Sequence, residues 1–524
     1  MIVSAASSGF TAAVVNRPTM STSRRHVLSL SAGVVLAPLF VRHARASDTP
    51  RFALGIASGH PKPDRLVLWT RLSGADLPAS VDVRWELAHD EAFTKIAASG
   101  TEQAEAIWAH SVHAEPQGLQ PARWYWYRFT ALGQQSAVGR TRTAPAADAE
   151  VNTLRFAIAS CQRWDHGHYA AWRHLATQDL DLVLFLGDYI YEYASPPLAL
   201  RYHAGTATLT LDDYRNRYAQ YKGDPALQAA HAAAPWLVVW DDHEIENDYA
   251  DGRPQGGPDP LFASRRAAAT QAYWEHMPFP KAMRPRGSEM RLYERYDWGT
   301  LARIHTLDDR QYRDVQACPR PGRNGSNTVK LKDCPELLDP KRSLLGADQE
   351  RWLAQGWDSA RGWNLLAQQT LMSRFAWSDP AEGGTYWTDG WDGYAASRSR
   401  LLGAVTERKL PGVVVLGGDV HANYVADLKA DYDDAKSPVI ATEFCGTSIS
   451  SNGLAQSRVD AARPFNPHVR YSRTDQRGYV GFALGAKRLD ASLWTVQDPK
   501  DDASPVNIAT RFAVELGRPG AQPA

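Results

Sequence analysis

Leu182-Val183-Leu184-Phe185-Leu186-Gly187-Asp188-Tyr189-Ile190-Tyr191 decides how this chain is read. Five apolar residues without a polar interruption fit a strand buried on both faces, and the Gly-Asp that follows ends it. Three other stretches repeat the form. Leu154–Ala159 runs into Ser160-Cys161, Trp236–Trp240 into Asp241-Asp242-His243-Glu244, and Val413–Leu416 into Gly417-Gly418-Asp419-Val420-His421. Helical patterns lie between them: Tyr169, Trp172 and Leu175-Ala176 share one face, and Gly346-Ala347-Asp348 opens a helix carrying Trp352 and Leu353. Strands alternating with helices predict a layered α/β domain over 151–510, its β-sheets flanked by helices. In open α/β sheets ligands bind beyond the carboxyl ends of the strands, so the four polar clusters are expected to meet in one crevice.

Upstream the pattern changes. Leu66-Val67-Leu68-Trp69-Thr70, the alternating Val81-Asp82-Val83-Arg84-Trp85-Glu86-Leu87 and the aromatic Trp124-Tyr125-Trp126-Tyr127-Arg128-Phe129 all read as strands. Several short strands in so few residues predict a small all-β sandwich of immunoglobulin or fibronectin type over 47–145. The Ala- and Pro-rich 145–150 reads as a linker.

The first 46 residues stand apart, with five arginines and no acid. Ser23-Arg24-Arg25-His26 precedes an apolar run from Val27 to Val41, and Ala44-Arg45-Ala46 ends it. That order is an export signal, too short to span a membrane, and the paired arginines read as a twin-arginine signal. The translocase is then a partner during export, and the mature chain is expected in the periplasm or outside the cell, without a transmembrane segment. Over the whole chain 58 basic side chains balance 58 acidic ones. A nucleic-acid binder working by charge would show a basic excess, so that class is excluded. Cys318 and Cys334 flank a loop rich in Pro, Gly and Asn, where an exported protein can hold a disulfide. Cys445 reads as a buried thiol.

The converging groups carry the chemistry. Asp188, Asp241, Asp242 and Asp419 repel one another unless a cation neutralises them. Carboxylates and the Tyr191 phenol are hard oxygen donors, whereas His421 and the Cys161 thiol are softer. The mixture fits a high-charge iron on one side and an oxygen-liking divalent ion on the other. Asp419 and His421, two apart, are expected on one side of an extended segment. Each piece alone also has a structural reading: Gly-Asp as a turn, Tyr191 as a packed ring, Cys161 as a small filler, Asp241 to Glu244 as a solvated loop. The ordered set at strand ends outweighs them.

The order Ser-Cys, Gly-Asp-x-x-Tyr, Asp-Asp-His-Glu, Gly-Gly-Asp-x-His resembles the alkaline phosphatase D (PhoD-like) family of metallophosphoesterases. The likeness runs from about Phe52 to about Val496. Residues 54–59 and 68–72 resemble the family's N-terminal β domain, and 307–310, 391–394 and 442–448 its core blocks. The resemblance implies a metallophosphoesterase core and a purple-acid-phosphatase-like centre of iron(III) and calcium. Matched by position, Asp188 becomes the bridging carboxylate, Tyr191 and Cys161 the tyrosinate and thiolate on iron, and His421 the imidazole on the same metal. Asp242 and Asp419 fall where related enzymes place an asparagine and a histidine on the second metal, and two carboxylates there favour calcium. His243 is expected beside the phosphate without binding metal, with Asn247 and Asp241 assisting the calcium side. Arg310 is a candidate phosphate clamp, a salt bridge to Asp308 or Asp309 being its alternative.

The implied reaction is hydrolysis of phosphate mono- or diesters by a metal-bound hydroxide, with His243 protonating the leaving oxygen or bonding the phosphoryl group. One alternative keeps the centre and changes the substrate, to a phospholipase-D-type phosphodiesterase acting on phospholipids. For that reading Tyr202, Tyr214, Tyr218 and Tyr221 would form an aromatic rim; otherwise they are helix core. The other alternative is a non-catalytic exported binding protein, against which the joint presence of Asp188, Tyr191, Asp242, His243, Asp419 and His421 argues.

Overall fold

The computed structural model describes residues 50–524. The export signal predicted over 1–46 lies outside them. Two mixed sheets face each other. In the first, of ten strands, Thr153–Ala159, Leu182–Leu186 and Trp236–Val239 run parallel at the centre. In the second, of seven strands, Ala302–Thr306, Trp363–Ala367, Val413–Gly417 and Val439–Cys445 are parallel neighbours.

Why the decisive run is apolar throughout is visible in its packing. Leu182, Leu184 and Leu186 point between the sheets, where they meet Leu365, Val414 and Phe444 of the second sheet. Val183 and Phe185 point outward, beneath Trp172, Leu227 and Trp274 of the covering helices Ala170–Leu175, Pro225–Ala233 and Phe262–His276. Side chains alternate across a strand, so both parities must be apolar when both faces are covered. The second sheet is covered likewise, with Leu366 and Val415 under Leu353, Leu401 and Val405 of Gly346–Gly356 and Ala395–Glu407. Leu184→Ala would cost about 2–5 kcal/mol, because the dense interior closes such a gap only in part.

The upstream β region packs as two layers around Val83, Tyr127, Phe129, Leu68 and Val112. One layer is a five-stranded sheet built on Ser80–Ala88 and Trp124–Ala131. The other is not a separate sheet. Ile56–Gly59, Val67–Arg71 and Ser111–Ala114 extend the ten-stranded sheet, Ile56–Gly59 lying parallel to Trp236–Val239. The close approach needs glycine at 59, where a Cβ would fall 2.7 Å from the Trp236 carbonyl. Cys318 and Cys334 are joined by a disulfide, and Cys445 is free and buried. Among the described residues no helix is long and apolar enough to cross a membrane.

Candidate metal centre

Each polar cluster sits where its strand ends, and the backbone there is unusual. Cys161, Asp188, Asp419 and His421 have φ of 58°, 59°, 62° and 52°. Non-glycine residues seldom adopt this left-handed region, and each instance costs on the order of 1–3 kcal/mol unless the surroundings enforce it. Here they do. The Cys161 N–H donates to the Gly187 carbonyl (3.0 Å) and the Gln162 N–H to the Asp188 carbonyl (3.1 Å), locking two strand ends together. The Glu244 carboxylate accepts from the N–H groups of Asp188 (3.1 Å), Tyr189 (2.6 Å) and Asp241 (2.9 Å). Gly187, at φ 101°, lies so close to the next strand that a Cβ would stand 2.4 Å from that of Asp241. Asp419 and His421 therefore do not share one side of an extended segment. Strand Val413–Gly417 has ended, and the chain bends left-handed at both positions before Asn423–Lys429 returns antiparallel to Val439–Cys445. The turn brings both side chains to the crevice by another route.

The ligand atoms of Cys161, Asp188 and His421 lie within 4.8 Å of one another. The Tyr191 phenol donates to Asp188 Oδ2 (2.6 Å), lies 3.0 Å from His421 Nε2 and accepts from Ser451 Oγ (2.8 Å). His421 Nδ1 donates to the Asn452 carbonyl (2.7 Å), which turns Nε2 toward Tyr191 and Asp188. Asp241, Asp242 and Asp419 form a second group at the same spacing, and Asp188, Asp242 and His243 a third that joins the two.

These residues fit a pair of cations. Asp188 Oδ1, Asp241 Oδ2 and Asp242 Oδ1 are buried without a hydrogen-bond partner, a costly state for an anionic oxygen. Burial, only partly offset by Arg310, pushes Asp242 up to about 6 and Asp419 up to about 8, and the neighbouring acids add to it. Burial also drives the Cys161 thiol and the Tyr191 phenol upward, and Asp188 adds to both. Asp188 itself goes the other way: His243, the nearby His421 and a hydrogen bond from Tyr191 overcome burial and hold it below the usual carboxylate range. Left to protons alone, the site favours the protonated forms of Cys161, Tyr191 and Asp419; a cation reverses this.

His243 stands at the side of this cage. Its Nδ1 donates to Glu192 Oε2 (2.7 Å), and its ring lies against Tyr191 with centroids 4.1 Å apart. Burial disfavours its charge, but Glu192, Asp188 and Asp242 outweigh burial and raise it above the usual imidazole range, favouring the charged ring. Nε2 then carries a proton and has no hydrogen-bond partner among the described residues. Arg310 lies under the acids, 1% exposed. Its guanidinium pairs with Asp241 and, at 2.6 Å, with Asp389, and reaches 3.7 Å from both Asp242 and Asp419. Asp308 accepts only its backbone N–H (3.1 Å), and the guanidinium serves as an internal countercharge. Asn247 is half-buried and meets the site through its backbone N–H, which donates to Glu192 Oε1 (2.9 Å). Tyr214, Tyr218 and Tyr221 are wholly buried helix core, and of the four tyrosines only Tyr202 is exposed.

Sequence reasoning missed three carboxylates. Glu192 holds His243. Glu244 braces two strand ends, although the Asp-Asp-His-Glu run contained it. Asp389 accepts from Arg310, Arg313 and Gln316, and both arginines hold it below the usual range against burial. Nothing marked Asp389 in sequence, for it follows a three-residue strand, Thr385–Trp387, rather than a long apolar run.

Comparison with known proteins bears on this arrangement. Residues 156–493 match the PhoD-like phosphatase family and residues 38–145 the N-terminal domain of PhoD-like phosphatases. Alkaline phosphatase D of Bacillus subtilis (strain 168) is 45% identical over 485 residues, 90% of this chain and 82% of that protein. A solved structure described as that of PhoD superposes with a TM-score of 0.85 at 41% identity, covering 90% of this chain and 92% of that one.

Proposed function

This chain belongs to the PhoD-like phosphatase family and is a hydrolase of phosphoric ester bonds, and we propose that it works through iron(III) and calcium sharing Asp188. Cys161, Asp188, Tyr191 and His421 would hold the iron; Asp188, Asp242 and Asp419 would hold the calcium. The observation that carries this reading is the joining of the two donor groups through Asp188 and Asp242, with buried oxygens left unpartnered on three aspartates. The softer donors, Cys161 and His421, lie on one side only, with the hard Asp188 and Tyr191 oxygens beside them, and the other side offers carboxylates alone, which suits calcium. Bound there, the cations supply charge neutralisation at the phosphoryl oxygens and an activated water.

The chain's own residues do the rest. His243, kept charged and oriented by Glu192, presents Nε2–H to a phosphoryl or leaving oxygen, an acid contribution worth about 10²–10⁴-fold in rate. Tyr191 packs against that ring at a tilt and limits its movement. Glu244 keeps Asp188 and Asp241 aimed inward. Arg310 keeps the calcium-side carboxylates close together while leaving them short of full neutralisation. The substrates are phosphate mono- or diesters, and the twin-arginine reading of residues 1–46 supports export to the periplasm or outside the cell. The test is elemental analysis of the purified protein with a phosphate-ester assay before and after chelation. Iron and calcium together with chelator-sensitive hydrolysis are expected; an iron-free preparation of full activity overturns the metal assignment.

A further inference from the structure

A cavity of about 400 Å³ opens from the metal centre, with Asp419 and His421 forming part of its wall. That volume is within the range of small-molecule sites. Its sides are aromatic. Phe375 and Trp377 meet edge to face with centroids 4.9 Å apart, and Phe375 and Tyr424 do the same at 5.4 Å. Trp387 faces them from the short strand Thr385–Trp387, which pairs with Thr328–Lys330 inside the loop closed by the Cys318–Cys334 disulfide. Arg458 lies over the Trp377 ring at 4.8 Å and has no carboxylate partner among the described residues.

None of the acid, base or metal-directed roles assigned above uses these rings. The cavity lies on the Asp419 and His421 side, and His243 is not in its wall. A phosphate ester held beside Asp419 and His421 would have this cavity at its edge. Resting on the phosphate-ester reading above, we propose that the cavity is a subsite for an aromatic arm of the substrate, so that aryl or heteroaryl phosphate esters and diesters are the preferred class. Rings set edge to face leave faces on which a flat group stacks. Thr328, Ser373 and Thr474 interrupt the apolar wall and the guanidinium of Arg458 borders it, which suits a ring with a polar edge and penalises an alkyl chain.

Binding of three non-hydrolysable probes tests this without turnover. Methylphosphonate, hexylphosphonate and phenylphosphonate are titrated calorimetrically into the metal-loaded protein and into its Trp377→Ala and Trp377→Leu variants, the latter keeping apolar bulk. Phenylphosphonate is expected to bind about tenfold more tightly than methylphosphonate, a difference of about 1.4 kcal/mol, and more tightly than hexylphosphonate. In both variants the phenyl advantage over methyl falls below about threefold, because stacking is lost. Hexylphosphonate binding as tightly as phenylphosphonate overturns the aromatic arm in favour of an acyl one, and equal binding of all three overturns the subsite while leaving the phosphate site standing. Failure of all three to bind overturns the phosphate-ester reading and this inference with it.

Discussion

The two halves of the centre are built on opposite electrostatic plans. Around Cys161, Tyr191 and His421 every donor has a hydrogen-bond neighbour, and Asp188 is held ionised by His243, His421 and Tyr191. Around Asp241, Asp242 and Asp419 acids outnumber their countercharge, and burial pushes Asp242 and Asp419 up to about 6 and about 8. The first half is prepared to hold a metal in fixed geometry. The second is a surplus of negative charge that a divalent ion relieves. One half should therefore bind tightly and define geometry, the other more loosely and with stronger dependence on pH and on free cation.

Asp188 belongs to both halves, so its substitution should break the comparison most severely. Asp188→Asn is expected to lower kcat by roughly 10³-fold or more, as removal of a group acting with its whole constellation does, and elemental analysis should show both metals depleted. Loss of one metal alone would mean that Asp188 is not shared. Tyr191→Phe should separate the halves: iron content falls and activity drops about 10²-fold, while calcium content holds. Unchanged turnover in that variant dismisses Tyr191 as a ligand. Asp419→Asn should weaken calcium affinity about 10- to 100-fold and be rescued by added calcium; an equal loss of iron would contradict the division.

The pH response sharpens the same contrast. Asp242 and Asp419 have raised values in the folded, metal-free chain, so that state is stabilised by their protons at low pH and loses this stability as pH rises through about 6 and about 8. Chelated protein should melt lower at pH 9 than at pH 5, by about a few degrees for a chain of this size, and calcium should remove most of the difference. A metal-free melting temperature that rises over this range contradicts the assignment. Glu244→Gln, which keeps the shape but sets an amide NH2 against at least one of the three N–H groups, should have the smallest effect, about tenfold in kcat/KM with both metals retained.

Much of this was legible in sequence because burial writes a plain signal. Leu182–Leu186 is apolar at every position since helices cover one face and the second sheet the other, and each chemical cluster follows such a run. What escaped notice depends on distance along the chain. The pairing of Ile56–Gly59 with Trp236–Val239 joins segments some 180 residues apart, so the upstream β region shares a sheet with the core. Arg310 could be named as a candidate, but its partners Asp241 and Asp389 lie 69 and 79 residues away, whereas Asp308 and Asp309 are adjacent in sequence. The left-handed bends at Asp419 and His421 leave no residue signature, because glycine would mark them and neither is glycine.

Anomalous diffraction at the iron absorption edge tests the shared two-cation centre most directly. The account predicts one iron peak bounded by Cys161 Sγ, Asp188, the Tyr191 phenol and His421 Nε2, and a lighter ion on the far side of Asp188 against Asp242 and Asp419. A single metal, or an iron peak among the aspartates and away from Tyr191, would contradict it.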